Sequence, residues 1–282
     1  MHRRKLLESL FKVLMISSLA AVILSLIMII AVIVYRGAPS LTLSMLTQVP
    51  RGGYYLGKEG GIFNAIVGSL YLGLGSTLLA FVLSLPIALA LQREYSGPTF
   101  TRFIRLGLDV LWGIPSIVYG AFGFVIMLYF GVRVSLLGGI IALTLLVLPI
   151  MTRPMEEVIS MVPRELKEVS FALGATRLET TIRVVLKQAL PGIFTAVLLA
   201  FGRGIGDAAS VLFTAGYTDR LPTSLSDPVA SLPLAIFFQL ATPFVEVQER
   251  AYAAAVVLLV IVLLVSLISR WLARGLSKHI VR

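Results

Sequence analysis

The sequence predicts an all-α integral membrane protein, built as one bundle of six transmembrane helices. Of its 282 residues, 58% are hydrophobic and only 13% are charged, whereas a soluble domain averages about 25% charged residues. The apolar residues form long blocks, and a bilayer core about 30 Å thick needs about 20 apolar helical residues. The blocks lack the alternating pattern of barrel strands, so helices are the structure that satisfies their backbone in lipid.

Five blocks reach the required length without a charged residue, and they are 13–34, 60–92, 110–132, 134–152 and 251–269. A sixth block, 188–218, is long enough but carries Arg203 and Asp207. The first block exceeds a signal-peptide core of about 7–15 residues, so we interpret it as a retained helix. We therefore predict one transmembrane domain over 1–282, with helices near 13–35, 62–92, 106–130, 134–152, 188–214 and 251–270.

The positive charges are distributed unevenly between the segments that join these helices. With the N-terminus in the cytoplasm, the inner segments 1–12, 93–105, 153–187 and 270–282 hold 17 Lys and Arg in 73 residues. The outer segments 35–61, 131–134 and 215–250 hold only 6 in 67. By the positive-inside rule, both termini are cytoplasmic. The net charge of +10 then reflects membrane orientation, and no nucleic-acid partner is expected.

Several classes of chemistry are absent from the sequence. His2 and His279 are the only histidines and there is no cysteine, so we expect no Ser-His-Asp triad and no His or Cys metal site. The only Gly-Lys pair, at 57–58, is followed by Glu59, so the phosphate-binding loop motif is missing. The chain is expected to be a transport subunit and not an enzyme, and its energy must come from an ion gradient or from a partner.

The inner segment 153–187 carries the most informative pattern. Val162, Leu166, Val169 and Leu173 are spaced 4, 3 and 4 residues apart and predict one apolar stripe on a short helix. Gly174 follows, where a left-handed residue can end the helix. Such a helix would either dock in a groove of another protein or pack on its own bundle.

The outer stretch 229–242 is too short to span and predicts a re-entrant or interfacial element.

Residues 168–174 read Glu-Val-Ser-Phe-Ala-Leu-Gly and resemble the Glu-Ala-Ala-x-x-x-Gly loop of ABC importer permeases. The pattern departs from the family at Val169-Ser170, and at Lys187, where the family usually has Pro. In such permeases this loop fits a cleft on the ATPase subunit and transmits its motion. The resemblance implies an ATPase contact for Glu168, Val169, Ser170, Leu173, Gly174 and Leu186.

Four further runs resemble the phosphate importer permeases in particular, and they are 114–123, 138–150, 172–176 and 203–207. The last reads Arg-Gly-Ile-Gly-Asp and resembles the family's Arg-x-x-Gly-Glu, with Asp in place of Glu. Together the matches extend from about residue 60 to residue 240. The chain length, Lys187 and the run Leu-Pro-Leu at 232–234 favour the PstA-type subunit over its PstC-type partner.

This resemblance implies the type I importer (MetI-like) fold in a bacterial inner membrane and a heterodimer with a PstC-like permease. It also implies two ATP-binding subunits that hold ATP and Mg²⁺, and a periplasmic or extracellular phosphate-binding protein. Arg203 and Asp207 lie one turn apart and can pair, and we expect them on the substrate pathway. Arg203 would attract phosphate oxygens and Asp207 would accept a hydrogen bond from a protonated phosphate; the alternative is that the pair only neutralises itself or holds the bundle together. The alternatives are a permease for another oxyanion (molybdate, tungstate or sulfate), an ion-coupled carrier without an ATPase, or a signalling scaffold.

Overall fold

The computed structural model describes residues 2–51, 59–92 and 94–276. The outer loop 52–58, Arg93 and the C-terminal end 277–282, all included in the topology prediction, lie outside the described residues. The helices are α1 (His2–Gly37), α2 (Leu43–Thr47), α3 (Phe63–Ala90), α4 (Pro98–Gly113), α5 (Ser116–Tyr129), α6 (Leu136–Ser160), α7 (Arg164–Ala172), α8 (Arg177–Thr180), α9 (Leu186–Ile205), α10 (Leu232–Leu240) and α11 (Val245–Leu276). A π-helical turn, Thr181–Val185, joins α8 to α9. Two short strands, β1 (Pro50–Arg51) and β2 (Glu59–Gly60), pair antiparallel.

Within the described ranges, five helical segments are long and apolar enough to cross a membrane, namely α1, α3, α6, α8–α9 and α11. The pair α4 and α5 counts as a sixth span if taken together, although the two helices meet at 100°. The fold is therefore the predicted all-α membrane bundle.

Helices α1, α6 and α11 extend beyond their predicted bounds, and two other predicted helices are interrupted or shorter. The single helix expected near 106–130 is two helices, because Pro115 lacks an N–H group and disfavours a helical Ile114. The helix expected near 188–214 ends at Ile205, and irregular turns follow it. These last two differences fall at the candidate pathway described below.

Helices α3, α6 and α9 form the centre of the bundle. Two buried polar layers fix the register of α3 on α6: Thr144 Oγ1 donates to the Ser76 carbonyl at 3.3 Å, and Thr152 Oγ1 donates to Ser84 Oγ at 2.9 Å. Each helix advances eight residues between the layers, so a threonine of α6 meets a serine of α3 again about two turns further along. Around the second layer, small and aliphatic side chains such as Ala80, Ala196 and Met151 are fully buried.

The connecting segments gather at opposite ends of the bundle. At the end that carries α7, which we call the α7 end, Lys167 contacts Glu94 and Arg105 contacts Glu156. At the opposite end, Asn64 Nδ2 donates to the Thr218 carbonyl at 2.7 Å. This separation is the arrangement that alternating membrane spans require.

The predicted short element 229–242 contains α10, whose first turn is buried inside the opposite end. Leu232 and Leu234 are fully buried. Ser69 Oγ on α3 accepts a hydrogen bond from the Leu232 N–H at 2.7 Å, and Ser231 caps the same helix. The neighbouring turn is held by Asp227, whose pKa is lowered to about 2 by hydrogen bonds from Thr223 and Ser224. The outer segment 215–250 thus includes a folded part of the bundle.

Candidate functional site

The side chains of Arg203 and Asp207 meet at the end of α9. Arg203 Nη1 lies 2.8 Å from Asp207 Oδ1, as their i, i+4 spacing predicts. The helix ends between them, at Ile205, and the irregular chain that follows places Asp207 behind the arginine. The two side chains differ in accessibility: 43% of the Arg203 side chain is exposed but only 5% of the Asp207 side chain.

Asp207 is held by a second residue that the sequence did not single out. Its Oδ2 accepts hydrogen bonds from the Ser210 N–H at 2.9 Å and from Ser210 Oγ at 2.6 Å. This is the geometry of a helix N-cap, and it starts the turn that follows α9. Both oxygens of the buried carboxylate are therefore hydrogen-bonded, Oδ2 by Ser210 and Oδ1 by Arg203, and the carboxylate orients the guanidinium.

Arg203 faces a cavity of about 340 Å³ at the break between α4 and α5. The walls are residues 111–116 of the break, together with Leu146 and Ile150 of α6. The start of α5 also faces this cavity, and no side chain caps it. A helix N-terminus carries a partial positive charge and free N–H groups. The cavity thus combines a guanidinium and a helix N-terminus between apolar walls, an environment that suits an anion.

Two close contacts hold the break in place. Tyr119 Oη donates to the Leu111 carbonyl at 2.6 Å, which satisfies one of the last carbonyls of α4. Gly120 packs directly on the turn after Asp207, since a Cβ there would lie 2.8 Å from the carbonyl oxygens of Ala209 and Ser210. Trp112–Ser116, Tyr119 and Ser210 are thus site residues that sequence reasoning missed; the Gly113–Pro115 pattern was a signal for the break.

The second candidate site is the segment 164–187 at the α7 end. Gly174 has a φ of +85°, so it adopts the left-handed conformation predicted for the end of α7. A capping box between Thr176 and Glu179 then starts α8. Lys167 Nζ lies 2.8 Å from Glu94 Oε1, which ties α7 to the chain after α3.

The predicted apolar stripe of α7 is divided between two environments. Val162 is buried and Leu166 packs against the central cluster, so this half supports the bundle. Val169 and Leu173 are 60% and 84% exposed. Packing on the bundle therefore accounts for the Val162–Leu166 half, and docking in a partner's groove stays a prediction for the exposed half.

The other residues predicted to contact an ATPase subunit differ in how exposed they are. Glu168 and Gly174 are exposed, and Ser170 is half-buried with its Oγ 2.9 Å from Thr180 Oγ1. Leu186 packs against the central cluster instead of facing outward. Phe171 and Leu178, which were not predicted as contacts, are exposed beside Leu173. We call Glu168, Val169, Phe171, Leu173 and Leu178 the coupling surface.

Residues 80–280 match the family described as "Binding-protein-dependent transport system inner membrane component". The chain therefore belongs to this family of transport components, and it is a permease subunit and not an enzyme. The sequence is 33% identical over 279 residues to the phosphate transport system permease protein PstA 2 of Mycobacterium bovis, covering 97% of this chain and 91% of that protein. It is 34% identical over 241 residues to PstA of Yersinia pestis, covering 84% and 80% of the two chains.

Solved structures agree on the fold. A MetNI methionine ABC transporter in an inward-facing conformation superposes with a TM-score of 0.63 at 20% identity, over 76% of this chain and 95% of that chain. An amino acid ABC transporter gives a TM-score of 0.59 at 19% identity, over 76% and 93% of the two chains. The fold is thus that of the MetI-like type I importer permeases, as the sequence predicts.

Proposed function

We propose that this chain is the PstA-type transmembrane subunit of an ATP-driven importer that moves inorganic phosphate into the cytoplasm. The observation that carries the proposal is the exposed guanidinium of Arg203 in the cavity at the break between α4 and α5. The similarity to phosphate transport system permease proteins of the PstA type supports phosphate as the cargo.

The cavity offers chemistry suited to a tetrahedral oxyanion. A guanidinium presents a planar set of N–H donors that can pair with two oxygens, which an ammonium cannot copy. The N-terminus of α5 adds free N–H groups on another side of the cavity. Asp207 keeps the guanidinium in position and reduces the cost of a charge inside the bundle. Asp207 Oδ1 accepts one hydrogen bond here and can accept another, but only 5% of the side chain is exposed, so a protonated phosphate would have to approach it past Arg203.

The coupling surface is proposed as the contact with an ATP-binding subunit. This surface consists of exposed apolar side chains and the carboxylate of Glu168. The opposite face of the same helix packs on the bundle. A motion imposed on α7 would reach α3 through the Lys167–Glu94 pair and α9 through α8 and the π-helical turn. ATP and Mg²⁺ would be bound by the partner, because this chain has no phosphate-binding loop.

The complete importer would contain this chain and a homologous PstC-like permease as a heterodimer, two ATP-binding subunits, and a phosphate-binding protein on the outer face. The excess of basic residues at the α7 end supports a cytoplasmic location for that end and for both termini. The chain would cross the bacterial inner membrane several times, and the family description supports that location.

The test is phosphate uptake by the purified complex in proteoliposomes, with loaded binding protein outside and ATP inside. Wild type is expected to accumulate labelled phosphate only with ATP, and excess molybdate, tungstate or sulfate should not compete. Competition by one of these anions would change the cargo assignment. Uptake driven by an ion gradient without ATP would replace the importer with an ion-coupled carrier.

A further inference from the structure

Helix α4 turns away from the axis of α5 and crosses the α7 end of α6 with its middle turns. It meets α5 at 100°. Its Arg105 pairs with Glu156 and its Asp109 pairs with Arg153, both at the α7 end of α6. Arg153 is the first charged residue after the apolar run 134–152. These pairs place the middle of α4 at the level where the apolar part of the bundle ends.

One side of α4 is an exposed apolar stripe. Phe100, Phe103, Leu106 and Val110 recur at spacings of 3, 3 and 4 residues, and all four are exposed. A helix with an aromatic apolar side and a basic polar side typically lies in the interface of a membrane with its apolar side in the acyl region. The stripe is therefore placed to contact lipid chains.

A groove of about 900 Å³ opens beside the stripe at the start of α4. Its walls are Leu91, Ser96, Pro98, Thr101, Arg102, Arg105, Leu106 and Asp109. Arg105 and Asp109 are already paired, with Glu156 and Arg153, which leaves Arg102 as the charge in the groove without a partner among the described residues. The N-terminus of α4 has no side-chain cap and no acidic residue in its first turn. Pro98 has no N–H group and the Thr101 N–H bonds the Gly97 carbonyl, so the free N–H groups of this turn are those of Thr99 and Phe100. The exposed Arg102 has no ion pair within the part of the chain that the structure describes, whereas its neighbour Arg105 is paired with Glu156.

We propose that this groove binds the headgroup of an anionic phospholipid such as phosphatidylglycerol. The phosphodiester would accept hydrogen bonds from Arg102 and from the first turn of α4, and an acyl chain would cover Phe103 and Leu106. Basic pockets at the cytoplasmic ends of membrane helices are a recurring type of site for anionic lipids. A free phosphate would satisfy the cation but leave the apolar stripe uncovered, so the combination favours a lipid.

The direct test measures lipid retention by the purified importer complex and does not require transport. After exchange into phosphatidylglycerol and detergent washing, native mass spectrometry is expected to show retained phosphatidylglycerol on wild type. Arg102→Gln should lower this retention about fivefold, and Arg102→Lys should restore part of it. Arg133→Gln, which removes an exposed arginine in the turn between α5 and α6, is the matched control and should retain lipid as wild type does.

A second variant tests the helix N-terminus without altering Arg102. Gly97→Asp would supply an N-cap carboxylate in open space, because a Cβ at Gly97 meets no atom within 4 Å. The variant complex should be at least as heat-stable as wild type and yet lose phosphatidylglycerol.

Three results would overturn the proposal. They are unchanged lipid retention in Arg102→Gln, equal loss in Arg133→Gln, and displacement of the lipid by millimolar inorganic phosphate. The last result would assign the groove to a free anion instead.

Discussion

Lys167, near the middle of α7, and Glu94, just after α3, form an ion pair at 2.8 Å that fastens the coupling surface to the central bundle. The lysine side chain is only 11% exposed. The pair therefore holds α7 against the chain that follows α3 by charge, in addition to the apolar packing of Leu166.

This pair predicts an asymmetric response to mutation. Glu94→Gln leaves a partly buried ammonium without its partner, whereas Lys167→Met removes the charge and keeps the apolar stem. We expect Glu94→Gln to destabilise the complex by about 1 kcal/mol and Lys167→Met to cost less. Thermal unfolding of the purified complex measures the difference, and phosphate moved per ATP hydrolysed measures coupling. A larger loss of stability in Lys167→Met would show that the pair does not carry this contact.

Gly174 is predicted to be required because of its backbone conformation. At a φ of +85°, a β-branched residue is strained, at a cost of about 1–2 kcal/mol. Gly174→Val should insert and assemble normally but hydrolyse ATP without proportional phosphate uptake. Gly174→Asn is the matched control, because Asn tolerates the left-handed region, and it should retain most of the coupling. If Val and Asn behave alike, the conformation of this turn is not what couples the subunits.

Gly120 is predicted to be required for a different reason, which is space. A Cβ at this position would lie 2.8 Å from two backbone carbonyl oxygens, so Gly120→Ala must push α5 away from the turn that holds Asp207. We expect lower thermal stability of the complex and reduced phosphate uptake. Gly113→Ala provides the control, because a Cβ there meets no atom within 4 Å, and its stability should match wild type.

Sequence patterns were sufficient to predict the membrane class, the positions of most spans and the Arg203–Asp207 contact, because apolar block length and i, i+4 spacing are local properties. They did not predict the right-angle bend at Ile114–Pro115. A proline often kinks a helix within a continuous span, and whether the chain turns instead depends on contacts such as Tyr119 to Leu111, which are tertiary.

The surroundings of the site were less predictable for the same reason. No sequence pattern distinguishes Ser210 from other polar residues. Its contact with Asp207 exists because α9 ends at Ile205 and the chain then turns. The periodicity of α7 gave one stripe, but periodicity alone cannot tell which residues meet the bundle. That division between Leu166 and Leu173 follows from how α7 is anchored by Lys167.

Membrane orientation gives an independent prediction. Single cysteines introduced at exposed positions near residue 170 should react with a membrane-impermeant reagent only in inside-out vesicles, and cysteines near residue 221 only in right-side-out cells. The chain has no native cysteine, so only the introduced cysteine of this chain can react with the reagent. Labelling near residue 170 from the outside would overturn the assignment of the α7 end to the cytoplasm.

The hydrogen-bond chain from Ser210 through Asp207 to Arg203 predicts a graded series of transport defects. Arg203→Gln removes the guanidinium from the cavity and should reduce phosphate uptake at least tenfold. Asp207→Asn keeps the shape but replaces the charge that orients Arg203, so its effect should be intermediate. Ser210→Ala loses the 2.6 Å hydroxyl contact but keeps the backbone N–H contact, and uptake should fall only a fewfold.

Each variant is compared at equal amounts of assembled complex, with ATP hydrolysis stimulated by loaded binding protein as the second measurement. Arg203→Lys separates charge from geometry, because an ammonium retains the charge but cannot pair with two phosphate oxygens. If Arg203→Lys transports normally, paired donation is not required at this position. If Arg203→Gln also transports normally, the ion pair with Asp207 is purely structural, and the cavity at the break between α4 and α5 is not part of the phosphate pathway.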